Sequence, residues 1–263
     1  MVSVNLPRLD ASRKTKFRDL LSPWQQLRYL AWRAGFRGKR PIQLRLASGE
    51  WLVLRPPPAT DLETAMEVFF CGAYRSPRPL SAERVRKMVD LGANVGYSIV
   101  YFSREFPHAT IEAFEPHPEY VRQATRHVEV NGLQDRVTIR TAAAGNRSCR
   151  MFLLDAENRS ALVSRSGPGR FEVDVVDWLA TGEGTPIDFL KMDIEGAEYT
   201  ILFDPRFAHR NIANLVVEWH ETPERPAGGA DVVTLLQGLG YHVEHGFQGE
   251  LMGLKFGLIW GYR

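Results

Sequence analysis

The octapeptide KMDIEGAE, residues 191 to 198, follows an apolar run and presents Lys191, Asp193, Glu195 and Glu198, while VVEWHE, residues 216 to 221, presents Glu218 and His220. Carboxylates and imidazoles are the usual proton acceptors at neutral pH, and a lysine can stabilise a developing oxyanion. Asp193 stands where strand gives way to loop, so it is the first choice for a pocket residue. Lys191 is a second, with an internal ion pair as its alternative. Glu218 and His220 are two apart and point to the same side of an extended strand. His220 is thus a candidate base or substrate-orienting group and Glu218 a candidate substrate contact; a salt-bridged structural histidine is the competing reading. Asp193, Glu218 and His220 could together hold a divalent cation, but neither HExxH nor a close acidic triplet is present, and no metal is expected.

A second set of residues is suited to holding a ligand. In VDLGANVGYS, residues 89 to 98, Gly92 and Gly96 permit positive φ and remove side chains that would block a bound molecule. The helix start beyond them offers N–H groups and a favourable field for a carboxylate-bearing or phosphate-bearing cofactor. Asn94 stands where a dinucleotide site has its second glycine, and there is no GK[ST], so both nucleotide fingerprints fail. In IEAFEPHPE, Glu115 ends the next strand, at the edge where open sheets bind ligands, and its carboxylate can accept from both hydroxyls of a ribose.

These groups need a scaffold that brings strand ends together. From Val85 onward, the apolar runs VRKMVD, ATIEAFE, RVTIR, PIDFLKM and NLVVEW read as strands, with helices beginning near Asn94, Pro118 and Asp231, the alternation of a parallel α/β sheet. YHVEHG and LKFGLIWGY read as a closing antiparallel hairpin. Ahead of them, SPWQQLRYLAWRAGF reads as a helix capped by Ser22, with Trp24, Leu27, Leu30 and Ala31 on one buried face. IQLRLASGEWLVLR reads as a hairpin turned at Ser48-Gly49, and TDLETAMEVFFCGAY as a second helix with Leu62, Ala65, Met66 and Phe69 near one face. RSPRPLSAE is a linker, dividing a cap over residues 1–80 from a larger domain over 81–263.

Of 263 residues, 44% are hydrophobic and the formal net charge is +2, which fits a globular chain with one substantial core. Basic residues gather in RLDASRKTKFRD and YLAWRAGFRGKRP, read first as a solvated face and open to an anionic partner. Cys71 and Cys149 form no CxxC pair, which favours a reducing cytoplasm. No run reaches the length of a membrane span.

Taken in order, VDLGANVGYS, IEAFEPHPE, VEVNGLQDRVTIRTAAAGN, IDFLKMDIEGAE and LVVEWHE resemble the FkbM family of S-adenosylmethionine-dependent methyltransferases, from about Met88 to His220. The resemblance implies a Rossmann-like class I α/β fold with a mainly parallel seven-stranded sheet, its last strand antiparallel, flanked by helices. It implies S-adenosylmethionine as cofactor and O-methylation of a hydroxyl on a sugar or natural-product scaffold. Asp90, Gly92, Ala93, Asn94 and Gly96 match the cofactor loop, with Asp90 orienting the amino group or a bridging water. Glu115 matches the ribose acid, Ala142 and Ala143 the residues flanking the adenine, and His117 is near enough in sequence to cover the ribose or ring. Tyr97 is the strongest aromatic candidate for the acceptor wall. Two other classes compete: a nucleic-acid methyltransferase, which arginine richness favours but no RNA-binding or Asn-Pro-Pro-aromatic motif supports, and a non-catalytic cofactor-binding module. The expected partner is a small hydroxyl acceptor rather than nucleic acid, and the front segment is read as a lid or a contact in a homo-oligomer.

Overall fold

The computed structural model describes residues 20–36, 40–156, 160–164, 171–182, 184–222, 228–251 and 253–263. The basic tract of residues 8–19, with Arg37 and Lys39, therefore lies outside the described residues. Pro23 opens helix α1 (Pro23–Arg33) directly after Ser22. Leu21 bridges to Leu46 of the following hairpin, β1 (Ile42–Arg45) paired antiparallel with β2 (Trp51–Leu54). Leu44, Leu46, Leu52 and Leu54 all face inward, as their alternation predicts.

The expected buried face of α1 is corrected. Tyr29 and Trp32 are the residues that pack down, the Trp32 indole donating to the Arg40 carbonyl at 2.8 Å, whereas Trp24, Leu27 and Leu30 point into solvent. Periodicity finds an apolar stripe, but the larger aromatic pair on another face has taken the core.

The second predicted helix is also two structures. α2 (Asp61–Ala65) widens into a π-helical turn over Met66–Cys71, which Gly72 ends in the left-handed region at φ 65°. Buried Asp61 anchors its start, accepting from the Arg55 backbone N–H and, at 2.7 Å, from its guanidinium.

β3 (Lys87–Leu91), α3 (Tyr97–Glu105), β4 (Thr110–Phe114), α4 (Pro118–Val130) and β5 (Val137–Arg140) follow as the alternation predicts. The chain then departs from it. Where a crossover helix would be expected, β6 (Ala143–Gly145), β7 (Cys149–Ala156), β8 (Ser160–Ser164) and β9 (Phe171–Asp177) build a separate sheet in the order β6-β9-β7-β8. The main sheet resumes with β10 (Ile187–Met192), the short α5 (Glu198–Leu202), β11 (Ile212–His220), α6 (Gly229–Gly238) and the hairpin β12 (His242–Leu251) and β13 (Leu254–Tyr262). Its order is β12-β13-β11-β10-β3-β4-β5, parallel from β5 to β11, with β13 antiparallel to both of its neighbours. This is the Rossmann-like sheet with one reversed strand that the resemblance implies.

The front segment docks on α4 by fixed polar contacts. Neutral His127, buried and pushed down to about 4 by loss of solvent, accepts from the Val53 N–H at 2.9 Å and donates to the Val95 carbonyl at 2.7 Å. Asn131 holds both the N–H and the carbonyl of Trp51. One continuous apolar cluster joins Leu44 and Leu54 to Ile99 and Val128. Among the described residues, no helix is long and apolar enough to cross a membrane.

Candidate functional site

The order of strands reverses between β3 and β10: the chain leaves β3 toward β4 and β5, and returns to β10 and then β11 on the other side. Helices diverge at such a point and leave a crevice beyond the strand ends. A cavity of about 740 Å³ opens there, lined by Asn94, Phe114, Glu115, Tyr120, Asp193 and Glu195, with Ala143 to Arg147, Cys149 and Val175 along another side. That volume lies in the range of small-molecule sites.

Two loops meet at its base. A β-carbon on Gly92 would fall 1.7 Å from the Asp193 carbonyl oxygen, and Gly92 has φ 87°. A β-carbon on Gly96 would fall 2.8 Å from the α-carbon of Ala124 in α4. Both glycines are thus demanded by the approach of the chain to itself. The turn's own amides, ahead of the helix start, are used within the protein. The N–H groups of Gly92 and Ala93 both donate to the Phe114 carbonyl, that of Asn94 to Glu115, that of Val95 to the Asn94 side chain, and that of Gly96 to the Ala93 carbonyl. With all five committed, the turn is no phosphate cradle, which agrees with the missing nucleotide fingerprints.

Glu115 lies on the cavity wall. It is buried, with one oxygen accepting from Asn94 N–H at 2.9 Å and the other from His117 N–H at 2.8 Å. Burial pushes its carboxyl up to about 7, against the pull of those two bonds. Each oxygen keeps a lone pair for a further donor. The donor set fits a nucleoside carrying a vicinal diol: Glu115 for the hydroxyls, with Phe114, Tyr120, Ala143 and Ala144 as apolar walls for a base.

Other predicted cofactor residues stand behind that wall. Asp90 is fully buried, accepting from Ser98 Oγ at 2.6 Å and lying 3.1 Å from Lys191 Nζ. His117 caps α4 through Nδ1, accepting from Glu119 N–H, and its ring stacks on Tyr120. Ala93 is buried behind the turn and Ala142 just ahead of β6, whereas Ala143 lines the cavity. Tyr97 is placed far from its expected position at the acceptor wall. Its hydroxyl donates to the Val53 carbonyl and its ring packs 4.8 Å from His127, inside the core between α4 and the hairpin.

The acidic end of the site is built around two cations. Lys191 is buried, donates to the Gly92 carbonyl at 2.5 Å, and lies 3.4 Å from Asp193 Oδ2. Burial opposes its charge, but Asp90 and then Asp193 hold the ammonium above the ordinary lysine range. His220 sits between Glu198, 3.1 Å from Nδ1, and Glu195 and Glu218, 3.6 and 3.9 Å from Nε2. Burial works against this imidazolium too, yet the Glu198 hydrogen bond and the three carboxylates raise it to about 10. Glu218 is driven well above the carboxylate range by burial and by Asp193.

At neutral pH His220 therefore carries its proton. Sequence spacing puts Glu218 on the same side of the strand; the closer partner is Glu198, from the end of KMDIEGAE. Asp193, Glu195 and His220 bring one ligand atom each within 4.8 Å of one another, the set that could take up a cation if the imidazolium gave up its Nε2 proton. Two further groups come from the front segment. The Tyr74 hydroxyl donates to Asp193 Oδ2 at 3.2 Å, and Glu67, on the π-helical turn, is pushed up to about 7 by burial and then by Asp193 and Glu195. Glu67 had no sequence signal, since a lone glutamate in a helix reads as surface.

Residues 90–243 match the Methyltransferase FkbM domain. Methyltransferase 1 of Beauveria bassiana (strain ARSEF 2860) is 28% identical over 184 residues, covering 59% of this chain and 72% of that protein. Methyltransferase sdnD of Sordaria araneosa is 29% identical over 194 residues, covering 59% of this chain and 73% of its own. Among solved structures, methyltransferase FkbM from Methylobacillus flagellatus KT aligns with a TM-score of 0.50 at 17% identity, over 75% of this chain and 47% of that one, a likeness of fold alone. This chain thus spans about half the length of that protein.

Proposed function

We propose, from the fact that this chain belongs to the FkbM family of S-adenosylmethionine-dependent methyltransferases, that it methylates a hydroxyl of a sugar or small natural product. The observation that carries this reading is the gathering of Asp193, Glu195, Glu218 and Glu67 at one end of the site. Ionised or protonated, such groups hydrogen-bond to hydroxyls, so they suit an acceptor that presents them.

Glu115 takes the ribose diol and Ala143 borders the adenine. The bound cofactor supplies an electrophilic methyl on a sulfonium. Asp193 Oδ, on the cavity wall, accepts the hydroxyl proton of the acceptor as its oxygen attacks, with Tyr74 and Lys191 fixing the carboxylate's orientation. His220, as imidazolium, places Glu195 and Glu218 for the acceptor's remaining hydroxyls. Lys191 and Asp90 act through Asp193 and Gly92 rather than on the substrate. Residues up to about 80 serve as a cap, supported by the hydrogen bond of Tyr74 to Asp193. Two half-buried free thiols, Cys71 and Cys149, suit a cytoplasmic setting.

Glu115→Ala should weaken adenosylhomocysteine binding by about 1.5–3 kcal/mol, read by calorimetry. Because the Glu115 carboxyl titrates near 7, wild-type affinity should also rise as pH passes through about 7, a step the variant lacks. Unchanged affinity and an unchanged pH profile would remove Glu115 from the ribose.

The charge on His220 has its own signature. Its folded value of about 10 exceeds the ordinary 6.5, so the stability it contributes is fully present below 6.5 and lost as pH rises through 10. Denaturant melts of wild type and His220→Gln should converge across that window; a gap that stays constant with pH would mean a neutral histidine.

Transfer of labelled methyl from S-adenosylmethionine to a panel of sugars, glycosylated metabolites and tRNA tests the reaction itself. Label in a hydroxyl-bearing small molecule, insensitive to salt, is expected. Label in tRNA, falling steeply with salt, would overturn the acceptor class.

A further inference from the structure

Most of the exposed large apolar side chains among the described residues lie on or just beyond α1. At about 100° per residue, Leu27, Leu30, Ala31 and Ala34 lie opposite the Tyr29 and Trp32 side on which the helix rests, with Trp24 next to them. Trp24, Leu27, Leu30 and, just past the helix, Phe36 are exposed by 68%, 56%, 52% and 83%. Arg28 and Arg33 border this strip on its two edges. Between Asp19 and Glu50 the sequence holds Arg28, Arg33, Arg37, Lys39, Arg40 and Arg45 and no acidic residue, in a chain whose net charge is only +2.

From this combination we propose that α1 is a docking face for an anionic lipid surface, lying in the plane of the headgroups. Apolar side chains gain by entering the acyl boundary, tryptophan favours the headgroup level, and flanking arginines reach lipid phosphates while their stems stay against the apolar strip. The strip is pre-formed. The Leu21 to Leu46 bridge and the Trp32 to Arg40 hydrogen bond hold the helix on the hairpin, so docking pays no cost of folding it.

Two other occupants fit less well. A second copy meeting the strip about a two-fold axis would set Arg28 and Arg33 against their own equivalents. A nucleic acid would satisfy the arginines but leave Leu27 and Leu30 without apolar partners.

Sedimentation of the full chain with vesicles tests the proposal, comparing phosphatidylcholine alone with phosphatidylcholine containing phosphatidylserine. The chain should pellet with the anionic vesicles, less so as salt rises, and stay in solution with the neutral ones. The double variant Leu27→Gln, Leu30→Gln should partition about tenfold less with unchanged melting, since both side chains are already exposed. No pelleting, equal pelleting with neutral vesicles, or an undiminished variant overturns the assignment. So does a wild type that is dimeric by size exclusion and made monomeric by the double variant, which would give the face to a second copy.

Discussion

Replacing Lys191 with methionine should lower the unfolding free energy by about 3–5 kcal/mol, because it leaves a buried charge without its partner. Methionine keeps much of the aliphatic stem, so the loss is chiefly electrostatic. The orphan is Asp90, which has no exposure to solvent and would retain only Ser98. The Gly92 carbonyl and Asp193 Oδ2 lose a donor at the same time. Urea melts of Lys191→Met, of Asp90→Asn and of the double variant separate this account from simple loss of packing. The double variant should be less damaged than the sum of the two singles, because it removes both members of the pair. Strict additivity, or a single variant within about 0.5 kcal/mol of wild type, would sink the account.

Asp193→Asn should cut kcat by about 10²–10⁴ once an acceptor is in hand, the usual worth of a positioned proton acceptor. The amide oxygen can still accept from Tyr74, so the site should keep its shape, and adenosylhomocysteine affinity should change little. Steady-state rates at saturating cofactor, together with calorimetry, make the comparison. A variant with wild-type kcat would take the proton-accepting role away from Asp193 and leave Glu67 or Glu218 to be tried next.

How far the sequence could be read depends on whether each residue's fate was decided locally. The parallel strands were legible because the central ones, β3 and β10, are short apolar runs buried on both faces, and the placement of Glu115 and Asp193 followed from their positions at strand ends. The ion pair between Lys191 and Asp90 was open as an alternative but not assignable, since only the adjacency of β10 and β3 brings those side chains together. The partnership of His220 with Glu198 was hidden for the same reason. α1 misled because a helix with aromatic or aliphatic residues on two faces does not declare which one the core will take. The small sheet from β6 to β9 could have been suspected from FEVDVVD, where Val173 and Val175 alternate with Glu172 and Asp174, but its place beside the cavity could not.

β13 is the last strand of the described chain to be synthesised, yet it lies between β11 and β12 rather than outside them. Until residues 254–262 have left the ribosome, the apolar strand Ile212–His220 offers a full row of unpaired backbone groups on one side. The half-made chain is therefore a better substrate for aggregation or for a chaperone than the finished one. Shortening the chain within β13 should therefore show first as lost yield, before any assay of catalysis could register it.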